Sequence, residues 1–308
     1  MIYPKCEELG LLKIDENLRV WPCAFVSNYT DEFLDALDEN WNSLQNKSLN
    51  EVLNHDAFTK HFNYEHWNDE TKCSLICKRE CSSPTKITKQ KKRMLDIGIT
   101  SHCNAGCSGC DRTDKDTRKA RQGLKLIHVP IINIKQCINE GTEHLFDLKT
   151  IKFCGDRGDP MMHPDIEELI EYVCDDDRLT LMISTNGSIR NPDFYKRIVN
   201  KNLKIVFSID GLEDTNHIYR YGCEWDDIWN NLTSYCNAGG CAHWNFLVWS
   251  HNWHQIPKVK QICNNLGIER VEFKITNQGT HRQSDGTPIV KSVEDEQTLN
   301  TINGLING

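Results

Sequence analysis

From residue 94 onward, short apolar runs alternate with amphipathic segments. Apolar positions in PDIEELIEYVC recur at i, i+3, i+4 and i+7, which predicts a helix, and two later segments that begin at Trp225 and Ile256 repeat this period. Strands that alternate with helices predict right-handed βαβ units and a parallel sheet, so the fold class is α/β. The runs that predict strands are MLDIGIT (94–100), TIKFCG (150–155), LTLMIST (179–185), LKIVFSID (203–210), AHWNFLVW (242–249) and ERVEFKIT (269–276).

The composition divides the chain into four zones. Residues 1–83 are rich in cysteine and contain a strand-like pair in LLKIDENLRVWPC, and residues 84–93 form a basic linker. The strand-and-helix pattern occupies residues 94–277. Residues 278–308 are polar and show no clear element.

Charge and hydropathy exclude some classes of protein. A net charge of −8 argues against a protein whose main partner is nucleic acid, although it does not rule such a partner out. The longest weakly polar stretch, Leu126 to Ile134, is far shorter than the ~20 apolar residues of a membrane helix. The first residues lack a basic segment followed by an apolar run, so the sequence predicts no secretory signal. We therefore expect a cytoplasmic location.

Cysteine is unusually abundant, with 15 in 308 residues. Disulfides are typical of small secreted domains, and in a reducing compartment clustered cysteines indicate metal ligands or catalytic groups. Cys103, Cys107 and Cys110 follow the first predicted strand with the spacing C-x3-C-x2-C. Three thiolates on one glycine-containing loop can hold one corner of an iron–sulfur cube and leave the fourth iron open. A zinc site is the alternative, although zinc usually takes four ligands.

The order of the following motifs resembles the radical S-adenosylmethionine (radical SAM) superfamily. The second strand is followed by FCGDRGDPMMHPD, in which Gly158-Asp159-Pro160 is similar to the family's Gly-Glu-Pro turn. The third strand ends in Ser-Thr-Asn-Gly (184–187), the fourth ends in Ser-Ile-Asp-Gly (208–211), and NHIYR (216–220) is similar to the segment that follows in the family.

This resemblance implies a partial (βα)6 TIM-like barrel with its site at the carboxyl ends of the strands. It also implies that the three cysteines hold a 4Fe–4S cluster, that S-adenosylmethionine (SAM) binds the open iron, and that the enzyme abstracts hydrogen from a substrate C–H bond. Ordinary turns and helix caps are the alternative for the polar strand ends. The residues that the resemblance assigns to SAM binding are Gly155, Gly158, Asp159, Ser184, Asn186, Ser208, Asp210 and Arg220.

The cysteines of the first zone resemble the SPASM/twitch type of auxiliary iron–sulfur module, which in the family usually follows the barrel. The resemblance implies a second 4Fe–4S cluster and a peptide or protein side chain as substrate. A structural zinc site would need the same thiolates. The ligands expected for the cluster are Cys6, Cys23, Cys77 and Cys81, with Cys73 spare or substituting.

Other side chains suggest further roles. Cys154, at the end of the second strand, is a candidate radical relay or hydrogen donor. Basic residues before and after the cysteine loop are candidates for docking an acidic electron donor of the flavodoxin or ferredoxin type. Two other hypotheses stay open: radical modification of a nucleotide, an RNA base or a small metabolite, and a non-catalytic electron-transfer protein. The basic residues that follow the loop are Arg112, Lys115, Arg118, Lys119, Arg121 and Lys125.

Overall fold

The computed structural model describes residues 10–22, 37–61, 93–145, 147–154, 157–276 and 279–307. One open sheet of eight strands forms the centre, in the order β2-β1-β3-β4-β5-β6-β7-β8. All neighbouring strands are parallel except β1 and β2. The six predicted strands and the α/β class are confirmed, as β3 to β8. The strands are β1 (Leu11–Ile14), β2 (Val20–Trp21), β3 (Met94–Ile97), β4 (Thr150–Phe153), β5 (Thr180–Thr185), β6 (Leu203–Ser208), β7 (Cys241–Val248) and β8 (Arg270–Ile275).

Helices follow the strands, and local sequence explains where several of them begin and end. Asn191 caps α4 by accepting a hydrogen bond from the amide of Phe194, and Pro192 occupies the first turn. Gly267, with φ of 64°, ends α7 in the left-handed conformation. The helices are α1 (Leu49–Leu53), α2 (Ile131–His144), α3 (Ile166–Cys174), α4 (Pro192–Arg197), α5 (Asn216–Tyr219), α6 (Trp225–Asn237), α7 (Ile256–Leu266) and α8 (Glu296–Asn307).

The two faces of the sheet differ in chemistry, because successive side chains of a strand point to opposite faces. Leu95 and Ile97 of β3 belong to the main apolar core, as does Phe153 of β4. The alternate positions on the other face carry charge: Asp96 lies between Lys13 and Lys152, with ammonium-to-carboxylate distances of 3.0 and 3.2 Å. This polar face lines the inside of the partial barrel.

Both ends of the chain contribute more structure than the sequence predicts. The strand-like pair of the first zone is confirmed, and β1 also pairs in parallel with β3 at the edge of the main sheet. Residues 278–308 were expected to show no clear element, and this expectation was wrong. They form a hairpin of β9 (Thr280–Arg282) and β10 (Pro288–Lys291), followed by α8. The hairpin closes through Asp285-Gly286, a turn dipeptide whose glycine has φ of 89°.

The cysteines assigned to an auxiliary cluster lie outside the described residues, so the auxiliary module and the domain division stay predictions. They are Cys6, Cys23, Cys73, Cys77 and Cys81. Among the described residues, the search for a helix of sufficient length and hydropathy to cross a bilayer finds none.

Candidate active site at the carboxyl ends of the strands

The loop that follows β3 brings the three predicted cysteines to one place. Cys103, Cys107 and Cys110 are each half-buried, and a backbone hydrogen bond of 3.2 Å from Cys110 to Cys107 closes the second turn. A Cβ on Gly106 would lie 2.2 Å from the carbonyl oxygen of Arg118, so this position of the loop needs glycine. The local spacing therefore specifies both the thiols and the tight backbone between them.

The sulfur of Cys103 has N–H groups beside it, but its surroundings as a whole disfavour a negative charge. The amide of Ala105 donates to Cys103 Sγ at 3.3 Å, and Asn186 Nδ2 lies 3.8 Å from the same sulfur. Burial raises the pKa of the Cys103 thiol, and Asp159 and Cys107 raise it further. A positive group that bound all three sulfurs would offset both burial and mutual repulsion.

Arg220 brings such a charge to the second cysteine. Burial raises the pKa of Cys107 to about 11, and the guanidinium opposes that rise from 4.0 Å, the distance between Arg220 Nη1 and Cys107 Sγ. Arg220 is itself fixed by Asp210, whose carboxylate lies 2.7 Å from Nε. Asp210 is fully buried and accepts a second hydrogen bond, from the amide of Leu247. Asp210, two residues after the end of β6, thus orients the Arg220 guanidinium toward the cysteine loop.

The turn after β4 packs closely beneath the loop. A Cβ on Gly158 would lie 2.1 Å from the carbonyl oxygen of Thr100, so only glycine fits there. The Asp159 amide donates to the His102 carbonyl at 2.7 Å. Both oxygens of the Asp159 carboxylate accept hydrogen bonds within the protein, from the amide of Met161 and from Thr185 and Asn186. Asp159 therefore ties the turn to the end of β5.

The remaining predicted SAM contacts divide into two groups. Asn186 is buried and donates to Asn104 Oδ1 at 2.8 Å, whereas Ser184 and Ser208 are half-buried on the polar face. Cys154 directly follows the last residue of β4 and is half-buried. Gly155 lies outside the described residues.

Two of the six basic residues that follow the cysteines hold the loop itself. Arg112 is buried and donates to the carbonyls of Ser101 and Ala105, and Arg118 donates to the Gly106 carbonyl at 2.7 Å. These two arginines are structural. The four that are exposed are Lys115, Lys119, Arg121 and Lys125.

The sequence analysis missed the C-terminal hairpin as part of this site. Ser108 lies between the second and third cysteines of the loop, and its Oγ is 2.9 Å from Nδ1 of His281 in the hairpin. Both side chains are buried. The rings of Tyr219 and Trp249 pack together at 5.1 Å, and Trp249 lies at the same distance from His281. Ser108 lies inside the cysteine motif, but nothing local in the sequence pairs it with a residue 173 positions away.

Together, these residues can hold a metal cluster and a charged ligand. The three thiols lie on one loop, and Cys107 is close enough to Cys103 and Cys110 for their charges to interact. Backbone and side-chain N–H groups are directed at two of the sulfurs, and a half-buried guanidinium lies beside them. The donor set is soft, which suits iron–sulfur clusters and zinc and does not suit magnesium or calcium.

Curated relatives match part of the chain at low identity. The chain is 25% identical over 188 residues to a probable GTP 3′,8-cyclase of Methanocaldococcus jannaschii, which covers 59% of each protein. A probable GTP 3′,8-cyclase of Methanococcus maripaludis is 23% identical and covers 65% of this chain. The chain spans 59% and 66% of the length of these two curated relatives.

Solved structures share the fold at low identity. Streptococcus suis SuiB bound to the precursor peptide SuiA superposes with a TM-score of 0.53 and 18% identity, over 70% of this chain and 45% of SuiB. The anSMEcpe protein with bound AdoMet superposes with a TM-score of 0.53 and 12% identity, over 70% of this chain and 59% of that one. The sequence model of the Radical SAM superfamily matches residues 97–254, just over half of the chain. The chain therefore belongs to the radical SAM superfamily, whose members are iron–sulfur enzymes that use S-adenosylmethionine.

Proposed function

We propose that Cys103, Cys107 and Cys110 each bind one iron of a 4Fe–4S cluster and that SAM binds the fourth iron. The observation that carries this proposal is the position of the three thiols on one loop, with N–H donors directed at the sulfurs of Cys103 and Cys107. When bound, the reduced cluster supplies the electron that cleaves the SAM sulfonium bond and yields a 5′-deoxyadenosyl radical.

The protein's own side chains would position SAM. Arg220 uses Nε for Asp210 and directs Nη1 at Cys107 Sγ, so its other terminal nitrogen is the candidate to bind the SAM carboxylate. Ser184 and Ser208 present hydroxyls on the polar face, which suits contacts with a ribose. The backbone at Gly155, Gly158 and Asp159 would offer carbonyl oxygens to the SAM ammonium, since the Asp159 carboxylate already has partners.

The polar face of the sheet is the proposed substrate chamber. Two ammonium groups, those of Lys13 and Lys152, share the single carboxylate of Asp96. The three groups form a cluster of opposite charges on this face, which suits a polar substrate beside them. Lys13 comes from the first zone of the chain, so this zone contributes directly to the chamber.

Two substrate classes fit these observations. The probable GTP 3′,8-cyclases are named for a nucleotide substrate, so a nucleotide is the first candidate. A peptide or protein side chain is the second, because the cysteines of the first zone resemble a module of peptide-modifying enzymes. An RNA base or another small metabolite would use the same chamber.

Cys154 is proposed as a thiol close to the reacting substrate. It lies two residues beyond Lys152 on the same face of the sheet, close enough that its charge raises the pKa of the Lys152 ammonium. If it donates a hydrogen atom to a substrate radical, Cys154→Ala will still cleave SAM but will not complete the product. Loss of SAM cleavage in that variant would instead assign Cys154 to the SAM site.

Electrons would come from an acidic protein of the flavodoxin or ferredoxin type. The exposed residues Lys115, Lys119, Arg121 and Lys125 follow the cysteine loop closely, and their charge suits such a donor. Lowering the ionic strength should then speed reduction by flavodoxin. Replacing these four residues should slow reduction by flavodoxin and leave reduction by dithionite unchanged.

The decisive experiment is anaerobic reconstitution with iron and sulfide, followed by addition of dithionite and SAM. The wild-type chain should release 5′-deoxyadenosine, and Cys107→Ala should release at least 100-fold less and bind less iron. Cys236→Ser, at a half-buried position on α6, is the matched control and should behave as wild type. Candidate nucleotides and peptides are then compared by mass spectrometry of the products.

Each other result contradicts a part of the proposal. Iron and sulfide without 5′-deoxyadenosine would indicate a non-catalytic electron-transfer protein. Zinc without iron at the three cysteines would exclude the radical chemistry. Iron in excess of one cluster that survives Cys107→Ala would support the auxiliary cluster.

A further inference from the structure

A second cluster of metal-binding side chains lies at the opposite end of the sheet. Cys241 and His243 begin β7, and Glu269 directly precedes β8, so all three lie at the amino ends of these strands. Strand β7 has eight residues, and at ~3.3 Å per residue its first residue lies roughly 20 Å from the end that faces the cysteine loop. The two sites are therefore separate.

Strand geometry places the three side chains together. Cys241 and His243 are two residues apart and share the polar face of β7, opposite the buried Ala242 and Trp244. The Glu269 amide donates a hydrogen bond to the Ala242 carbonyl, which holds Glu269 beside the start of β7. One ligand atom from each residue, a sulfur, a ring nitrogen and a carboxylate oxygen, lies within 4.8 Å of the other two.

The three ligand atoms lie within the span of one ion, with the sulfur hydrogen-bonded to the carboxylate and nearer to it than two ligands of an ion would be. Cys241 Sγ lies 2.5 Å and His243 Nε2 lies 3.4 Å from the same oxygen, Glu269 Oε2. Tetrahedral zinc binds sulfur at ~2.3 Å and nitrogen or oxygen at ~2.1 Å, which separates its ligand atoms by about 3.5 Å. Small side-chain rotations would therefore suffice to place an ion between the three atoms.

We propose that Cys241, His243 and Glu269 bind one divalent ion of the zinc class, with a fourth position open to water or another ligand. Sulfur and imidazole nitrogen select zinc, cobalt or ferrous iron over magnesium and calcium. Binding breaks the S–H bond of Cys241, forms a metal–sulfur bond and releases the proton to water. No electron is transferred.

Lys204 competes with the ion for the carboxylate. Its ammonium lies 3.0 and 3.2 Å from the two oxygens of Glu269, and about a third of its side chain is exposed. Binding of the ion therefore requires Lys204 to turn toward solvent. Its replacement by an uncharged residue of similar length should tighten the site, which a purely structural hydrogen-bonded cluster would not do.

The experiment uses the cluster-loaded full chain, so that the cysteines proposed for iron are already occupied. Cobalt(II) is added anaerobically, and thiolate-to-cobalt charge-transfer absorption is recorded against cobalt concentration. Wild type should show this band at about one cobalt per chain, and zinc should displace it. Cys241→Ser should lose the band, while His243→Ala and Glu269→Gln should weaken binding at least tenfold and Lys204→Met should strengthen it.

Glu272→Gln is the matched control, since Glu272 lies on β8 three residues beyond Glu269 and pairs with Arg270. It should bind cobalt as wild type does. A band that persists in Cys241→Ser, or cobalt binding equal in wild type and the three ligand variants, would overturn the proposal. Because SAM cleavage is measured separately on the same preparations, failure here leaves the radical chemistry untouched.

Discussion

The carboxyl and amino ends of the sheet both present a half-buried cysteine near charged groups, yet they treat the sulfur in opposite ways. Burial is the largest influence on both thiols, and the pKa rises to about 11 for Cys107 and for Cys241. At the carboxyl end the next influence is Arg220, which lowers the pKa of Cys107. At the amino end it is the hydrogen bond with Glu269, which raises the pKa of Cys241 further.

This difference separates two kinds of thiol site. Beside Cys107 the protein supplies a half-buried cation that offsets part of the effect of burial on the thiol. Cys241 instead donates a hydrogen bond to a carboxylate, so a metal ion must displace the thiol proton and a competing ammonium. The carboxyl end therefore already holds a charge that opposes the rise in pKa most strongly after burial, whereas at the amino end the strongest influence after burial adds to that rise.

The largest expected effect comes from removing the cation at each end. Arg220→Met leaves the fully buried Asp210 carboxylate without its partner, which should cost about 3–5 kcal/mol of unfolding free energy. Lys204→Met breaks an exposed pair and should cost less than about 1 kcal/mol. Urea unfolding of the anaerobic protein, followed by tryptophan fluorescence, measures both. Equal losses would show that the two ends do not differ in this way.

Local patterns in the sequence were enough to predict the centre of the fold. Strands β3 to β8 are short apolar runs buried in the sheet, and the three cysteines lie within one loop of eight residues, so neither depends on knowing the register of distant strands. Helix α2 was not predicted, because Gly141 interrupts its apolar period. In the structure that glycine lies against Leu95, where a Cβ would be only 2.7 Å from the leucine side chain.

The parts that could not be predicted depend on contacts between distant segments. Among the strands that the structure describes, β9 and β10 pair with each other and not with the main sheet, and the apolar Val290 of this hairpin is buried against Tyr219 and Trp249. The cluster of Cys241 and Glu269 requires the register of β7 against β8. The sequence does not reveal this register, so in the sequence Cys241 and Glu269 are simply two residues 28 positions apart.

A second prediction tests how firmly the hairpin is held at the carboxyl end. Ser108→Ala removes the 2.9 Å contact with His281 and leaves a buried ring nitrogen without that partner, which should cost about 1–3 kcal/mol. Ser284→Ala removes the exposed hydrogen bond that Ser284 Oγ of the same hairpin donates to Asp116 and keeps the one from the Ser284 amide, so it should cost less than about 1 kcal/mol. Thermal unfolding distinguishes the two, and a larger loss for Ser284→Ala would place the hairpin's main anchor elsewhere.

The smallest expected effect is a dependence of stability on pH at the carboxyl end. Burial, with help from His254 and His217, lowers the pKa of His251 from its ordinary 6.5 to about 4. The unfolded chain therefore takes up a proton that the folded chain refuses, so stability is fully present above pH 6.5 and falls as the pH drops toward 4.

His251→Gln should flatten this loss, because glutamine does not titrate. Urea midpoints of both proteins between pH 7.5 and 5 measure the difference in slope, and the comparison cancels every other titrating group. Asp285→Asn, in the hairpin turn, is the control. The pKa of Asp285 is lowered from 3.8 by its hydrogen bonds to Thr287, so the stability it contributes is lost only below the tested range. A slope that His251→Gln leaves unchanged would mean that this histidine takes up its proton at the same pH in the folded and the unfolded protein, and that burial does not hinder a further positive charge at the carboxyl end.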